Sequence, residues 1–208
     1  METRGKFIVF DGLDGCGKGT QLARLTRYIF NKDKSNSVFL TREPYRSKYY
    51  TEIRRILKES ADPKENAELL AHLFVEDRKV HAGLIERHLR EGDYVVCDRY
   101  KYSTLAYQQT QGIKLEKLIK MHEGILVPDL TLIIDVPAEI AMERLAKDAG
   151  REYKEVFEKL EFQGKLRKNY LALPKQLPDE RIVVIDGSGS ASEVFDAVRS
   201  EFDKLIAA

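Results

Sequence analysis

Short apolar runs recur along the chain at Phe7–Phe10, Val38–Leu40, Tyr94–Cys97 and Leu132–Val136, and a fifth, Ile182–Ile185, follows Pro178 and the charged Asp179–Arg181. Runs this short and apolar fit strands covered on both faces, as in a parallel sheet. Between them the apolar positions spread to a helical period over roughly 18–31, 50–59, 65–91, 114–123, 138–147, 152–173 and 191–206. Leu22, Leu25 and Ile29 mark the apolar stripe of the first of these helices. Strands alternating with helices imply right-handed crossovers. The expected fold is therefore α/β, a three-layer sandwich with a five-stranded parallel sheet flanked by helices. Ligands of such sheets bind beyond the carboxyl ends of the strands. No repeat, low-complexity tract or linker interrupts the pattern, so residues 1–208 are expected to form one domain.

Composition narrows the class. The chain carries 35 Lys+Arg against 34 Asp+Glu, so nothing in its balance calls for nucleic acid or a membrane surface. An anion site must then be a local cluster. No apolar run approaches a membrane span, and the N-terminus lacks the apolar stretch of a signal peptide. Cys16 and Cys97 form no disulfide pattern, which suits a reducing cytoplasm.

The first strand runs into Asp11-Gly12-Leu13-Asp14-Gly15-Cys16-Gly17-Lys18-Gly19-Thr20, the layout of a phosphate-binding P-loop. Gly12 and Gly17 bracket a turn whose N–H groups can face phosphate oxygens. Lys18 adds a charge for the β- and γ-phosphates, and the helix beginning there turns its positive end on the same anion. The pattern wants Ser or Thr directly after the lysine to hold Mg²⁺. Here Gly19 intervenes before Thr20, an order also found in adenylate kinases, so Thr20 meets the metal directly or through water.

Asp98-Arg99-Tyr100 closes the strand Tyr94–Cys97. An acid there is placed to organise Mg²⁺, and the adjacent arginine to fork onto a phosphate; taken alone the pair reads as a salt-bridged turn. Thr41-Arg42-Glu43-Pro44 follows the strand ending at Leu40 and puts Arg42 and Arg46 near the same edge, without assigning them a role. Phe74 and Arg78, four apart on one helix, share a face and can clamp a base, although Phe74 alone reads as core. Lys147 and Arg151 flank Asp148-Ala149-Gly150, where cations can close over a transferring phosphoryl group; alone they read as a solvated loop.

Together these segments resemble the thymidylate kinase family over nearly the whole chain. The most specific stretch is Asp98-Arg99-Tyr100 with Ser103, Thr104 and Ala106-Tyr107-Gln108. Thr41-Arg42-Glu43-Pro44, Leu73-Phe74…Arg78, and Pro128-Asp129-Leu130-Thr131-Leu132 running to Asp135-Val136-Pro137 complete the likeness in order. The resemblance implies a P-loop NTPase type of fold with a mobile lid at about 145–156, a homodimer, and transfer of the γ-phosphoryl of ATP to dTMP with Mg²⁺. It implies that Gly12, Leu13, Asp14, Gly15, Cys16, Gly17, Lys18, Gly19 and Thr20 hold ATP, with Thr20 and Asp98 at the metal. Arg99 would hold the acceptor phosphate and Asp14 the deoxyribose 3′-hydroxyl. Phe74 would stack on thymine, Arg78 meet a thymine carbonyl, and Gln108 with Thr104 line the base edge. Tyr107 would fill the space of a ribose 2′-hydroxyl, and Arg42 and Ser103 would join the dTMP site. Gly15 stands where some members carry a catalytic arginine, so Arg151, helped by Lys147, is the implied lid cation.

Two segments depart from the family pattern. Tyr45-Arg46 and Tyr49-Tyr50 replace the glycines that often follow Arg-Glu-Pro, and Arg151-Glu152-Tyr153 replaces the usual Asp-Arg-Phe-Glu run. The first loop borders the acceptor site, which leaves dUMP or a broader set of monophosphates as alternative acceptors. A non-kinase P-loop NTPase is the alternative from another class, but it would need a guanine-reading Asn-Lys-x-Asp motif that this chain lacks.

Overall fold

The computed structural model describes residues 4–60, 62, 64–147, 157 and 159–207. Strands β1 (Phe7–Gly12), β2 (Val38–Arg42), β3 (Tyr94–Asp98), β4 (Leu130–Asp135) and β5 (Ile182–Asp186) form one sheet of order β2-β3-β1-β4-β5, with every pairing parallel. The helices are α1 (Lys18–Lys32), α2 (Tyr50–Glu59), α3 (Ala67–Arg90), α4 (Lys101–Thr110), α5 (Leu115–Met121), α6 (Ala138–Ala146), α7 (Leu160–Gln176) and α8 (Ala191–Ile206).

The chain passes from β1 out to the edge strand β2, returns through β3, and then crosses β1 to reach β4. The order therefore reverses beside β1, which puts the ligand crevice of such a sheet at its carboxyl end. Strand β1 is buried along its length, as its central place demands, and Phe10 lies in register with Asp98 on one side and Leu132 on the other. Helices α1 and α8 pack together on the sheet, where Tyr28 meets Phe195 and Phe202 edge-on. Helices α3, α4 and α7 pack as a second group, and the ring of Phe7 meets Tyr100 at 5.1 Å. This is the expected three-layer sandwich.

Most element ends fall within two residues of the sequence reading, and three differences have a physical content. Strand β4 starts at Leu130, two residues ahead of the apolar run, because Thr131 pairs with Val9 and Ile182 despite its hydroxyl. Helix α4 has no counterpart in the periodicity. Its Lys101, Thr104 and Gln108 are as buried as Leu105 and Ala106, so no polar face alternates with an apolar one. Helix α7 begins at Leu160 and runs past Pro174, whereas the pattern suggested 152–173; residues 152–156 lie outside the described ones.

Candidate active site

At the carboxyl end of β1 a cleft of about 570 Å³ opens between the glycine-rich loop, the β2–α2 loop, α3, α4 and α6. Among the described residues, Lys18, Arg42, Arg54, Arg78, Arg99 and Arg144 line it against Asp14, Glu43 and Asp98. A chain of near-zero net charge thus gathers its cations in one place, as an anionic ligand requires. Gly12, Gly15 and Gly17 all adopt positive φ. A Cβ on Gly12 would stand 2.5 Å from the Ile134 carbonyl oxygen, and one on Gly15 would stand 2.3 Å from that of Ala141. The loop therefore lies directly on the backbones of β4 and α6, and an arginine at position 15 has no room. Gly17 brings no side chain to cap α1, so the helix offers its first amides to a ligand. Lys18 Nζ donates to Gly12 O at 3.1 Å and Leu13 O at 2.7 Å, poised over the loop. Gly15, Gly17, Gly19 and Thr20 line the cleft, whereas Gly12, Leu13 and Cys16 lie beneath and contribute carbonyls to Lys18 and Arg144.

The floor is organised by Asp11, which the sequence reading passed over. Fully buried, its carboxyl accepts from Gly12 N–H, Tyr100 N–H, Ser103 N–H, Ser103 Oγ and Tyr170 OH at 2.7–3.2 Å. Tyr100, the residue preceding α4, caps no amide with its own side chain, so Asp11 does so from across the sheet. A buried acid at the end of an all-apolar strand was the signal available in the sequence. Arg99 follows with φ 68°, a left-handed conformation that costs a non-glycine residue about 1–2 kcal/mol. That turn sends its N–H to Phe10 O and its guanidinium back over the loop, onto Ser103 Oγ at 2.9 Å and onto the Asp14 carboxyl. Burial raises the pKa of Asp14, but Arg99 and Lys18 outweigh it and hold the acid well below the usual carboxylate range. Tyr107 OH donates to the other Asp14 oxygen at 3.1 Å.

Across the cleft Phe74 and Arg78 do share a face of α3, and both line the opening. Arg78 is 1 % exposed. Its Nε donates to Glu43 Oε2 at 2.7 Å, Nη1 to His122 Nε2 at 2.7 Å and Nη2 to Thr104 Oγ1 at 3.2 Å, with the Tyr100 ring 5.2 Å away. Gln108 Nε2 donates to Gln111 Oε1 at 2.8 Å, which leaves Gln108 Oε1 buried and, among the described residues, without a partner. The divergent β2–α2 loop is tied to the same helix. Asp77 accepts from Tyr45 N–H and Ser47 Oγ, both at 2.6 Å, and the Tyr45 ring stacks on His81 at 4.5 Å. His81 in turn bridges Thr41 Oγ1 and Glu43 Oε1. Side-chain anchors thus hold the segment where the family often has glycines. Arg42 is exposed at the cleft edge, whereas Arg46 does not line it.

Asp98 ends β3 with Oδ1 buried and without a partner among the described residues, and Thr20 lines the same cleft. An orphaned acid oxygen and a hydroxyl-bearing residue on one cleft are the oxygen-only donor set that Mg²⁺ and its waters take. On α6, Lys147 pairs with Glu143 at 2.5 Å on the exposed side and does not line the cleft. Arg144, which the sequence reading missed, reaches Cys16 O and Gly187 O, each at 3.4 Å, and so bridges the glycine loop and the turn after β5. Arg151 lies outside the described residues.

Comparison with known proteins agrees with this geometry. The family model for thymidylate kinase matches residues 10–198. A probable thymidylate kinase of Methanococcus maripaludis is 42 % identical over 201 residues, covering 94 % of this chain and 92 % of that protein. One from Pyrococcus horikoshii is 40 % identical over 185 residues, 86 % and 88 % of the two chains. A thymidylate kinase of the bacterium Caldicellulosiruptor saccharolyticus is 35 % identical over 208 residues and 98 % of both. A parallel sheet with a lysine-bearing glycine loop at its reversal point, matched over almost its whole length by these enzymes, belongs to the thymidylate kinase family of ATP-dependent kinases.

Proposed function

We propose that this cleft transfers the γ-phosphoryl group of ATP to dTMP, giving ADP and dTDP. One observation carries the choice of acceptor: Arg78 and Gln108 line one cleft with complementary polarity. Nη1 of Arg78 has two hydrogens and spends one on His122, so a donor remains for a carbonyl. Gln108 Oε1 is an unpaired acceptor, matched to the imide N–H of thymine. Cytosine offers an amino donor and a bare ring nitrogen in those places and leaves both protein groups unsatisfied.

The remaining residues divide the labour around that pocket. Phe74 stacks on the base, with Thr104 holding Arg78 beside it. Asp14 takes the 3′-hydroxyl, and Tyr107, fixed by Asp14, fills the place of a 2′-hydroxyl. Arg99, already on Ser103, turns to the acceptor phosphate, with Arg42 at the edge. On the ATP side Lys18 exchanges its bonds with Gly12 O and Leu13 O for phosphate oxygens, beside the amides of the loop and of α1. Mg²⁺, held through Asp98 and Thr20, would neutralise charge on the triphosphate when bound. Little covalent chemistry is asked of the protein, because phosphoryl transfer needs in-line positioning and charge neutralisation. No general base is required, since the acceptor phosphate is already an anionic nucleophile.

We read 1–208 as one kinase domain with a lid at about 145–156, in which Arg151 closes on the transferring group. A homodimer in the cytoplasm, without a nucleic-acid or membrane partner, completes the reading; among the described residues no helix is long and apolar enough to cross a membrane. Phosphorus NMR of the purified chain with ATP and Mg²⁺ tests the reaction. Equal amounts of ADP and dTDP should form with dTMP present, and little ADP without it. Release of inorganic phosphate at the same rate with and without dTMP would make the protein an NTPase instead.

A further inference from the structure

We infer that His122 is a positioning residue for acceptor discrimination, a locked Nδ1–H imidazole whose bare Nε2 fixes the guanidinium of Arg78. The inference rests on the acceptor pocket proposed above. It is read from which partners can donate. His122 Nδ1 lies 2.7 Å from Leu118 O, which only accepts, so Nδ1 must carry the proton. Nε2 lies 2.7 Å from Arg78 Nη1, which only donates, so Nε2 must be bare. His122 is 6 % exposed and sits just after α5, away from the cleft lining, so its part in substrate choice is exerted through Arg78.

Three anchors converge on the guanidinium from three elements. Glu43, from the β2–α2 loop, takes Nε at 2.7 Å and Nη2 at 2.6 Å; Thr104, from α4, also takes Nη2; and His122, after α5, takes Nη1. The Nη1 bond is the one that matters for the base. With one Nη1 hydrogen bound to His122, the direction of the other is set by the plane of the group. Remove the imidazole acceptor and the planar group is held only at its Nε and Nη2 edge, so it can pivot about Glu43 and turn Nη1 toward either a carbonyl or a ring nitrogen. The pocket then loses its preference rather than its chemistry. Burial lowers the basicity of the ring first, and the charges of Arg78 and then Lys101 push further in the same direction. The imidazole therefore stays neutral through the working range of a kinase.

Two measurements on the full chain test this. In ¹⁵N-histidine-labelled wild type without ligand, long-range ¹H–¹⁵N spectra should show the His122 ring, assigned by its loss in His122→Leu, protonated at Nδ1 and bare at Nε2, unchanged from pH 8 to pH 5. An Nε2–H tautomer, or an imidazolium at pH 6, overturns the inference without any substitution. The second is the ratio of kcat/KM for dTMP to that for dCMP. His122→Leu should lower that ratio about tenfold, chiefly through a higher KM for dTMP. His122→Gln, whose Oε1 stands near the position of Nε2, should restore most of the ratio. A selective wild type with an equally selective His122→Leu sinks the role of His122 alone. A wild type that treats dTMP and dCMP alike sinks the acceptor reading and this role with it.

Discussion

Single residues carry the chemistry here through what they leave unpaired or hold in place. Lys18 is held by two carbonyls of its own loop and lines the cleft. Lys18→Ala should therefore lower kcat by at least about a hundredfold, while the urea midpoint moves little; near-normal turnover at saturating ATP would remove the loop from catalysis. Asp11 is the opposite case, a buried group whose partners all donate. Asp11→Asn puts an amide among those donors and should cost about 1–3 kcal/mol of stability. It should also raise the KM for dTMP, because Ser103 and Tyr170 steady Arg99. Unchanged urea unfolding in this variant would mean that Asp11 is not the cap of α4. His122 supplies a pH dependence. Its folded pKa is about 3 against 6.5 for a free ring, so below 6.5 the unfolded chain binds a proton that the folded one refuses. The stability contribution is complete above 6.5 and is lost as pH falls from there toward 3. The loss amounts to at most about 1.4 kcal/mol per pH unit. Urea unfolding at pH 7.5, 6 and 5 should show a steeper fall in wild type than in His122→Leu, and parallel falls would show that the ring is not buried neutral.

Among the elements, α4 and α6 show where periodicity stops being informative. The strands and the amphipathic α1 were legible because each buries one continuous apolar run or stripe. Helix α4 was not, because it serves the cleft with Thr104, Tyr107 and Gln108 while it packs the core with Leu105 and Ala106. A helix polar toward a ligand and apolar toward the sheet, yet buried on both sides, has no solvent face to give it a period. Helix α6 explains a substitution the motif left unexplained. The backbone of Ala141 lies so near Gly15 that any side chain there must lift the loop. Gly15→Ala should raise the KM for ATP at least tenfold, an effect of the order of one displaced phosphate contact, and Gly15→Arg should be no better. Full activity of either variant would contradict the close approach of loop and helix. An arginine at position 15 would meet the same crowding, and in the proposed reading Arg151 supplies the closing charge instead. Arg151→Ala should then depress kcat far more than it raises either KM, because that contact forms only in the closed state. An unchanged kcat would pass the role to Arg144, which already reaches the loop.

At the scale of the whole molecule, a chain with almost no net charge places six cations around one opening at the reversal point of its sheet. Much of that site was legible, since Lys18, Asp98, Arg99, Phe74, Arg78 and Gln108 follow strand ends or share a helix face in recognisable order. Arg54, Arg144 and His122 were not. They come toward it from segments that only the crossing of the chain brings near, whereas Asp11 was signalled by an acid at the end of an all-apolar strand. The divergent loop at Tyr45–Tyr49 was the point where the sequence left acceptor preference open. Its anchors on Asp77 and His81 leave Glu43 on Arg78, which is what the proposed thymine-reading pocket requires. The central claim is therefore that this pocket reads the imide edge of thymine. Steady-state kcat/KM with ATP, measured for dTMP, dUMP, dCMP and ribo-TMP, tests it most directly. The account predicts dTMP first and dUMP next, lacking only a methyl, with ribo-TMP disfavoured by Tyr107. It predicts dCMP to be about ten- to a hundredfold below dTMP, the cost of leaving Arg78 and Gln108 unpaired; equal values for dCMP and dTMP would contradict it.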